Sequence, residues 1–214
     1  TAQLEDVELE ALCRGDYVMN SKLGTPGNAA VYGGILKSLR KKGVPPVSAT
    51  DGPSGIRLHC YASLLPIGTL LASTWNQQLV RELYALEGAE MARKGSDVLL
   101  APGMNIHRDP LCGRNFEYFS EDPLLAGTMG AAVVRGIQSQ GVAATLKHYA
   151  VYSVPKGGRD GNCRTDPHVA PRELHELFLY PFKKVIQNSH PMGVMSSYND
   201  WDLSLIHISE PTRP

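Results

Sequence analysis

The residues able to do chemistry cluster where apolar runs end. Asp51 follows Val47-Ser-Ala-Thr50 and precedes Gly52-Pro53, a rigid turn that would hold its carboxylate outward. A carboxylate can accept hydrogen bonds from two adjacent hydroxyls at once. Arg114 offers a fork of donors from a loop that also holds Asn105, His107, Arg108, Asp109, Asn115, Glu117, Glu121 and Asp122. Lys147-His148 closes the run Val142-Ala-Ala-Thr-Leu146, and Tyr198 closes Gly193-Val-Met-Ser-Ser197. Tyr198 and Trp75 could stack on the apolar face of a ring. Together these groups suit a ligand rich in hydroxyls. Each has an ordinary alternative. Asp before Gly-Pro is a common turn residue, and Arg114 could simply pair with Glu117 or Glu121. His148 could be a satisfied core histidine, and Tyr198 and Trp75 could be core aromatics.

A second chemistry, metal-dependent hydrolysis, would use His107, Asp109 and His148 as ligands. No H-x-H or H-x-x-x-H spacing supports it, and no metal or cofactor is expected. Cys13, Cys60, Cys112 and Cys163 are scattered, without a C-x-x-C pair or a disulfide framework.

The elements that must position these groups can be read from periodicity. Short strands are expected at 47–50, 69–72, 97–101, 142–147 and 193–197. Helices are expected at 1–14, 30–42, 76–93, 123–139 and 171–188. Asp122-Pro123 reads as an N-cap and first helical residue, and Gly43 as a helix stop. The stretch 102–122 has no helical or strand period. At about twenty residues it is longer than compact domains usually tolerate without a function. Phe116, Tyr118 and Phe119 give it the bulk to be ordered.

Short, continuously apolar strands alternating with helices imply a parallel sheet covered by helices. The chemically loaded residues lie past strand C-termini each time, and no G-x-G-x-x-G follows a strand. The expected fold class is therefore α/β, a (β/α)8 TIM-type barrel that is incomplete, with about five of its eight strands present. With 214 residues, 43% hydrophobic and 20% charged, the chain holds one or at most two domains. Lys+Arg and Asp+Glu are both 21, so no net field draws nucleic acid or an anionic membrane, and no apolar run reaches membrane-spanning length. The first residue is Thr rather than Met, which allows for a start, and any signal peptide, upstream.

The last dozen residues, Leu203 to Pro214, have two prolines and no helical period where a barrel helix should follow. They look like translated sequencing-adapter sequence. The expected organisation is a partial barrel domain over 1–202 and a non-native tail over 203–214.

Four motifs carry a family resemblance. They are Asp51-Gly-Pro-Ser-Gly-Ile-Arg57, the long run Ala101 to Pro123, Gly141-Val-Ala-Ala-Thr-Leu-Lys-His148, and Val194-Met-Ser-Ser-Tyr-Asn199. The chain from about Leu4 to Asp202 resembles glycoside hydrolase family 3, of β-glucosidase and β-xylosidase type. The resemblance implies retaining hydrolysis of a terminal β-glycoside, with β-D-glucose first and β-D-xylose next. It implies that Asp51, Arg114, Lys147 and His148 hold the hydroxyls of the non-reducing sugar, with Met195 and Tyr198 lining the same subsite and Tyr198 close to the nucleophile. Retention needs two carboxyl groups about 5–5.5 Å apart. The family's nucleophile and acid/base map onto no position here. Asp200-Trp201 copies the nucleophile's dipeptide but directly follows a motif from an earlier strand. No catalytic carboxylate is therefore expected in this chain, which would be inactive alone.

The partners so implied are a small carbohydrate and an α/β sandwich domain. The head, from Leu9 to Gly27, is similar to members whose sandwich precedes the barrel. The segment 150–161 is similar to bacterial members in which it follows, and it lacks the Pro-Gly-His-Gly-Asp loop of the N-acetylglucosaminidase branch. A non-catalytic sugar-binding barrel would use the same residues.

Overall fold

The computed structural model describes residues 3–153 and 167–199. Their architecture is α/β, an incomplete TIM-type barrel built on a curled sheet of five strands in the order β1-β2-β3-β4-β5. The strands are β1 (Ala30–Gly33), β2 (Pro46–Asp51), β3 (Val98–Leu100), β4 (Ala143–Tyr149) and β5 (Gly193–Ser196). β1 pairs antiparallel with β2, in the register Ala30 to Ala49. The remaining neighbours are parallel, as crossovers through helices require.

The helices are α1 (Asp6–Arg14), α2 (Lys37–Lys41), α3 (Gly68–Ser73), α4 (Gln77–Lys94), α5 (Pro123–Gln138), α6 (Pro171–Glu173) and α7 (Tyr180–Ser189). Local chemistry sets the ends of the two longest. Asn76 caps α4 by accepting from the Leu79 amide, and Gly95 stops it in the left-handed region at φ 74°. Asp122 caps α5 by accepting from Leu124 and Leu125, with Pro123 behind it.

α5 packs against both α4 and α7. Its small residues allow this, because a Cβ at Gly136 would lie 2.4 Å from the Arg81 carbonyl oxygen of α4. The main core joins Leu99 and Leu146 of the sheet to Val80, Met91, Met129, Val133, Ile137, Phe182 and Val185. A smaller cluster, Ile106, Ala150, Val151, Leu174 and Phe178, lies under the loop after β3.

Three sequence expectations fail here. Residues 30–42 are not one helix but β1, a turn and the short α2. Val31 and Tyr32 favour a strand, and Gly33 at φ 78° breaks any helix. Residues 69–72 lie in α3 and not in a strand. Leu71 and Ala72 are buried while Leu70 is exposed, and the close approach of Gly68 to the Tyr118 backbone seats the turn. A four-residue apolar run has too few periods to distinguish the two. The helix expected over 171–188 is interrupted by a π turn, Leu174–Phe178, just before Pro181, which lacks an amide hydrogen. The strand count of five survives because β1 replaces the strand expected at 69–72. The proposed tail, together with Asp200, Trp201 and Cys163, lies outside the described residues.

Candidate functional site

The site sits at the C-terminal ends of the parallel strands. Asp51 is the last residue of β2, Lys147 and His148 end β4, and Tyr198 follows β5. The loop after β3 reaches the same rim because its first residues extend the ladder with β4. Thr145 donates to the Ala101 carbonyl, Lys147 to Pro102, and Met104 to Lys147. Asn105 then clamps the His148 backbone, donating to its carbonyl at 2.9 Å and accepting from its amide at 2.8 Å. Beyond a turn at Asn115–Glu117, Tyr118 and Phe119 bury themselves and anchor the far end of the loop.

Five charged side chains form one alternating chain across the rim, in the order Arg57, Asp51, Lys147, Glu117, Arg114. Lys147 Nζ lies 3.3 Å from Asp51 Oδ1 and 3.5 Å from Glu117 Oε2. Arg57 pairs with the other oxygen of Asp51, and Arg114 with the other oxygen of Glu117. Lys147 and Glu117 are only 3% and 4% exposed, so the ion pair between them is a buried one. Burial opposes the charge on Arg114, but the Glu117 carboxylate outweighs it and holds its pKa above the usual arginine range. The Arg114 guanidinium also lies 5.2 Å over the Tyr152 ring.

All five residues line one cavity of about 290 Å³, with Phe116 and the backbone turn Gly52-Pro-Ser-Gly55 as further walls. That is near the lower end of small-molecule sites, at about 300 Å³. Among the described residues, the Ser54 hydroxyl at this wall has no hydrogen-bond partner.

His148 lies behind the cavity and not in its lining. Its Nδ1 meets the Tyr118 hydroxyl at 3.2 Å, and its ring packs 4.9 Å from Tyr152 and 6.3 Å from Tyr198. Burial, with Arg114 and Lys147 nearby, pushes its pKa down to about 2, so the imidazole is neutral. Burial likewise pushes the Tyr118 phenol well up.

Of the six residues singled out in sequence, Asp51, Arg114 and Lys147 converge on the cavity. His148 and Tyr198 form an aromatic group with Tyr152 next to it. Met195 is half-buried on β5 and Tyr198 exposed, and neither lines the cavity. Trp75 is 71% exposed on the turn before α4. Arg57 and Glu117 lie in the family motifs, Glu117 expected only as a structural partner of Arg114, and nothing in the sequence marks Tyr152.

The alternative ligand set does not assemble. His107 Nε2 bonds the Asn115 carbonyl, Asp109 accepts from Leu111, and His148 faces Tyr118. No group of three His, Cys, Asp or Glu among the described residues could hold a metal. No helix among them is long and apolar enough to cross a membrane.

The sequence model of the glycosyl hydrolase family 3 N terminal domain matches residues 29–211. The chain belongs to glycosyl hydrolase family 3. This family 3 chain is 44% identical over 204 residues to a β-glucosidase of Ruminococcus albus, covering 92% of the chain and 20% of that relative. It is 43% identical over 166 residues to β-glucosidase B of Emericella nidulans, covering 74% and 19%. Among solved structures, a β-glucosidase from Paenibacillus barengoltzii superposes with a TM-score of 0.89 at 45% identity, covering 94% of the chain and 21% of that structure. β-Glucosidase 3B from Thermotoga neapolitana, in complex with α-D-glucose, gives 0.84 at 35% identity, covering 94% and 29%. The family 3 chain thus spans about a fifth of the length of these curated relatives.

Proposed function

We propose that this chain is the sugar-holding rim of a retaining, exo-acting β-glucosidase. It would grip the terminal non-reducing β-D-glucosyl unit, with β-D-xylosyl as the next choice. The observation that carries this reading is the alternating charge chain through Asp51, Lys147 and Glu117 on one cavity. Asp51 presents acceptors to two adjacent hydroxyls, while Lys147 and Arg114 present donors. A cavity of this size takes one ring, which favours cleavage at a chain end. The glucose complex of the Thermotoga relative supports the choice of sugar.

The two carboxylates at the cavity, Asp51 and Glu117, are each held between two cations. They are assigned here to binding and orientation and not to bond cleavage. The nucleophile and acid/base belong to parts of the full protein outside residues 1–202, the acid/base coming with an α/β sandwich domain. His148, Met195 and Tyr198 back the same subsite, His148 as a neutral group that sets the floor beneath Arg114 and Tyr152.

The test is a titration of the 214-residue chain with D-glucose and D-xylose, paired with an assay on p-nitrophenyl β-D-glucoside. Glucose binding that is lost in Asp51→Ala and Arg114→Ala, without turnover, is the expected result. Measurable turnover by the chain itself would place a catalytic pair within it. Absence of sugar binding would sink the assignment of the rim.

A further inference from the structure

One wall of the cavity is not made by the strands at all. It is the backbone turn Gly52 to Gly55, which carries the unpartnered Ser54 hydroxyl. This turn belongs to an irregular excursion that ends only where α3 begins, at Gly68. Its own ties are few: Arg57 donates to the Asp51 carbonyl, and Leu65 donates to Ser54. Further along, His59 donates to the Pro26 carbonyl, and a stripe along α4 adds several more ties. Tyr84, Glu87 and Glu90 recur every three residues and so share a helix face. The Tyr84 hydroxyl donates to the Pro53 carbonyl at 2.6 Å. The Glu87 carboxyl makes no hydrogen bond among the described residues, but the Gly55 backbone amide is near enough to favour its ionised form. Glu90 accepts from the Ser63 amide at 3.2 Å, and Lys94, one turn on, donates to the Tyr61 carbonyl.

Two of these residues are unusual for an outer barrel helix. Tyr84 and Glu87 are 1% and 3% exposed. Among the described residues, neither oxygen of Glu87 has a hydrogen-bond partner. A buried carboxyl in that position weakens the fold unless it serves something else. Leu64, Leu65, Leu83 and Leu86 line the space beside it, together with the polar Ser63 and Glu90.

We propose that Tyr84 and Glu87 are positioning residues for sugar binding, holding the Gly52–Gly55 turn at the height from which it walls the pocket. The claim rests on the sugar-pocket reading above. Neither side chain touches the cavity. Tyr84 acts through its hydrogen bond to the Pro53 carbonyl, and Glu87 through the dipolar contact of its carboxyl with the nearby Gly55 amide, fixing where the Gly52–Gly55 backbone meets a ring hydroxyl.

The experiment uses the ¹⁵N-labelled 214-residue chain at pH 7, with two readouts: amide exchange at Arg57 and Leu65 without ligand, and affinity for D-glucose. Tyr84→Phe removes one hydroxyl and keeps the packed ring. It should speed exchange at both amides and weaken glucose binding, each by about three- to tenfold, the worth of one hydrogen bond. Glu87→Gln should retain wild-type affinity and Glu87→Ala should lose it. Unchanged exchange in Tyr84→Phe overturns the proposal whether or not sugar binds. So does a Glu87→Ala variant that melts earlier yet binds glucose as the wild type does, since packing alone would explain it. If the wild type binds no glucose, the sugar reading fails, and the exchange data still decide whether α4 sets the wall.

Discussion

Lys147 meets Asp51 across 96 positions of sequence, its Nζ 3.3 Å from Oδ1, and the same ammonium lies 3.5 Å from Glu117. This contact ties the ends of β2 and β4 to the loop after β3. It is buried enough that neither partner can be lost quietly. Lys147→Met leaves two carboxylates facing each other with one arginine apiece, one of them fully inside. The expected loss is about 3–5 kcal/mol of unfolding free energy, the cost of breaking a buried pair by removing one partner. Urea denaturation of the chain reads it as a lower midpoint. A midpoint equal to the wild type's would mean that the charges are solvated and the chain of ion pairs is not intact.

The neutral state of His148 gives a pH signature. Its pKa stands at about 2 in the folded chain against an ordinary value of 6.5. Below pH 6.5 the unfolded chain takes up a proton that the folded chain refuses, so stability falls as pH falls. One such group contributes a slope of about 1.4 kcal/mol per pH unit below that point. The His148 ring resonances should therefore not titrate between pH 7 and 5. His148→Gln should flatten the stability profile in that range by about one proton. A ring that titrates near pH 6 in the folded chain would show that it reaches solvent.

What could be read without coordinates depended on whether the signal was local. Asp122-Pro123 as a helix start, and Asp51 at a strand end, need only neighbours along the chain, and both stand. The stretch 69–72 is a run with too few periods to separate strand from helix, 30–42 is divided by Gly33 and Gly34, and in both the deciding contacts are tertiary. Gly33 and Gly34 lie against the Val44-Pro45 backbone, and Gly68 against Tyr118. Site residues divided in the same way. Asp51 and Lys147 can be picked out because a charged residue at a strand end is a local fact, and Arg114 because it sits in the long polar loop after β3. Arg57 and Glu117 sat in the same motifs, but nothing in their spacing says that they flank Lys147 and its partner. Pairing Arg114 with Glu117, offered in sequence as the ordinary alternative to binding, is present in the structure. It lies inside the same network that lines the cavity.

The α4–α5 contact predicts an inverted glycine effect. In an exposed helix, Gly→Ala stabilises by about 1 kcal/mol. At Gly136 the added methyl would lie 2.4 Å from the Arg81 carbonyl and 3.1 Å from the Tyr84 Cβ. The helices must separate to admit it, and overpacking of this kind costs about 1–3 kcal/mol. Gly136→Ala should therefore lower the melting temperature despite its better helix propensity. A rise would mean that α5 stands further from α4 than the contact implies.

Glu87 gives the opposite pH profile to His148. Burial first, then the Glu90 charge, raises its pKa from 4.5 to about 8, while the Gly55 amide pulls the other way. Between those values the unfolded chain releases a proton that the folded chain keeps. The folded state therefore loses ground as pH rises from 4.5 to 8, the reverse of a salt-bridged carboxylate. Above pH 8 it must carry a buried charge beside Tyr84 and Glu90. Glu87→Gln removes the ionisation while keeping the shape. At pH 5 the two proteins should unfold at nearly the same urea concentration. At pH 8 the variant should be the more stable, by about 3–4 kcal/mol, from a slope of about 1.4 kcal/mol per pH unit across the shifted range. Denaturation at the two pH values decides it. Equal midpoints at both would mean that Glu87 is ionised and hydrated throughout, and the polar stripe on α4 would then have no buried acid at its centre.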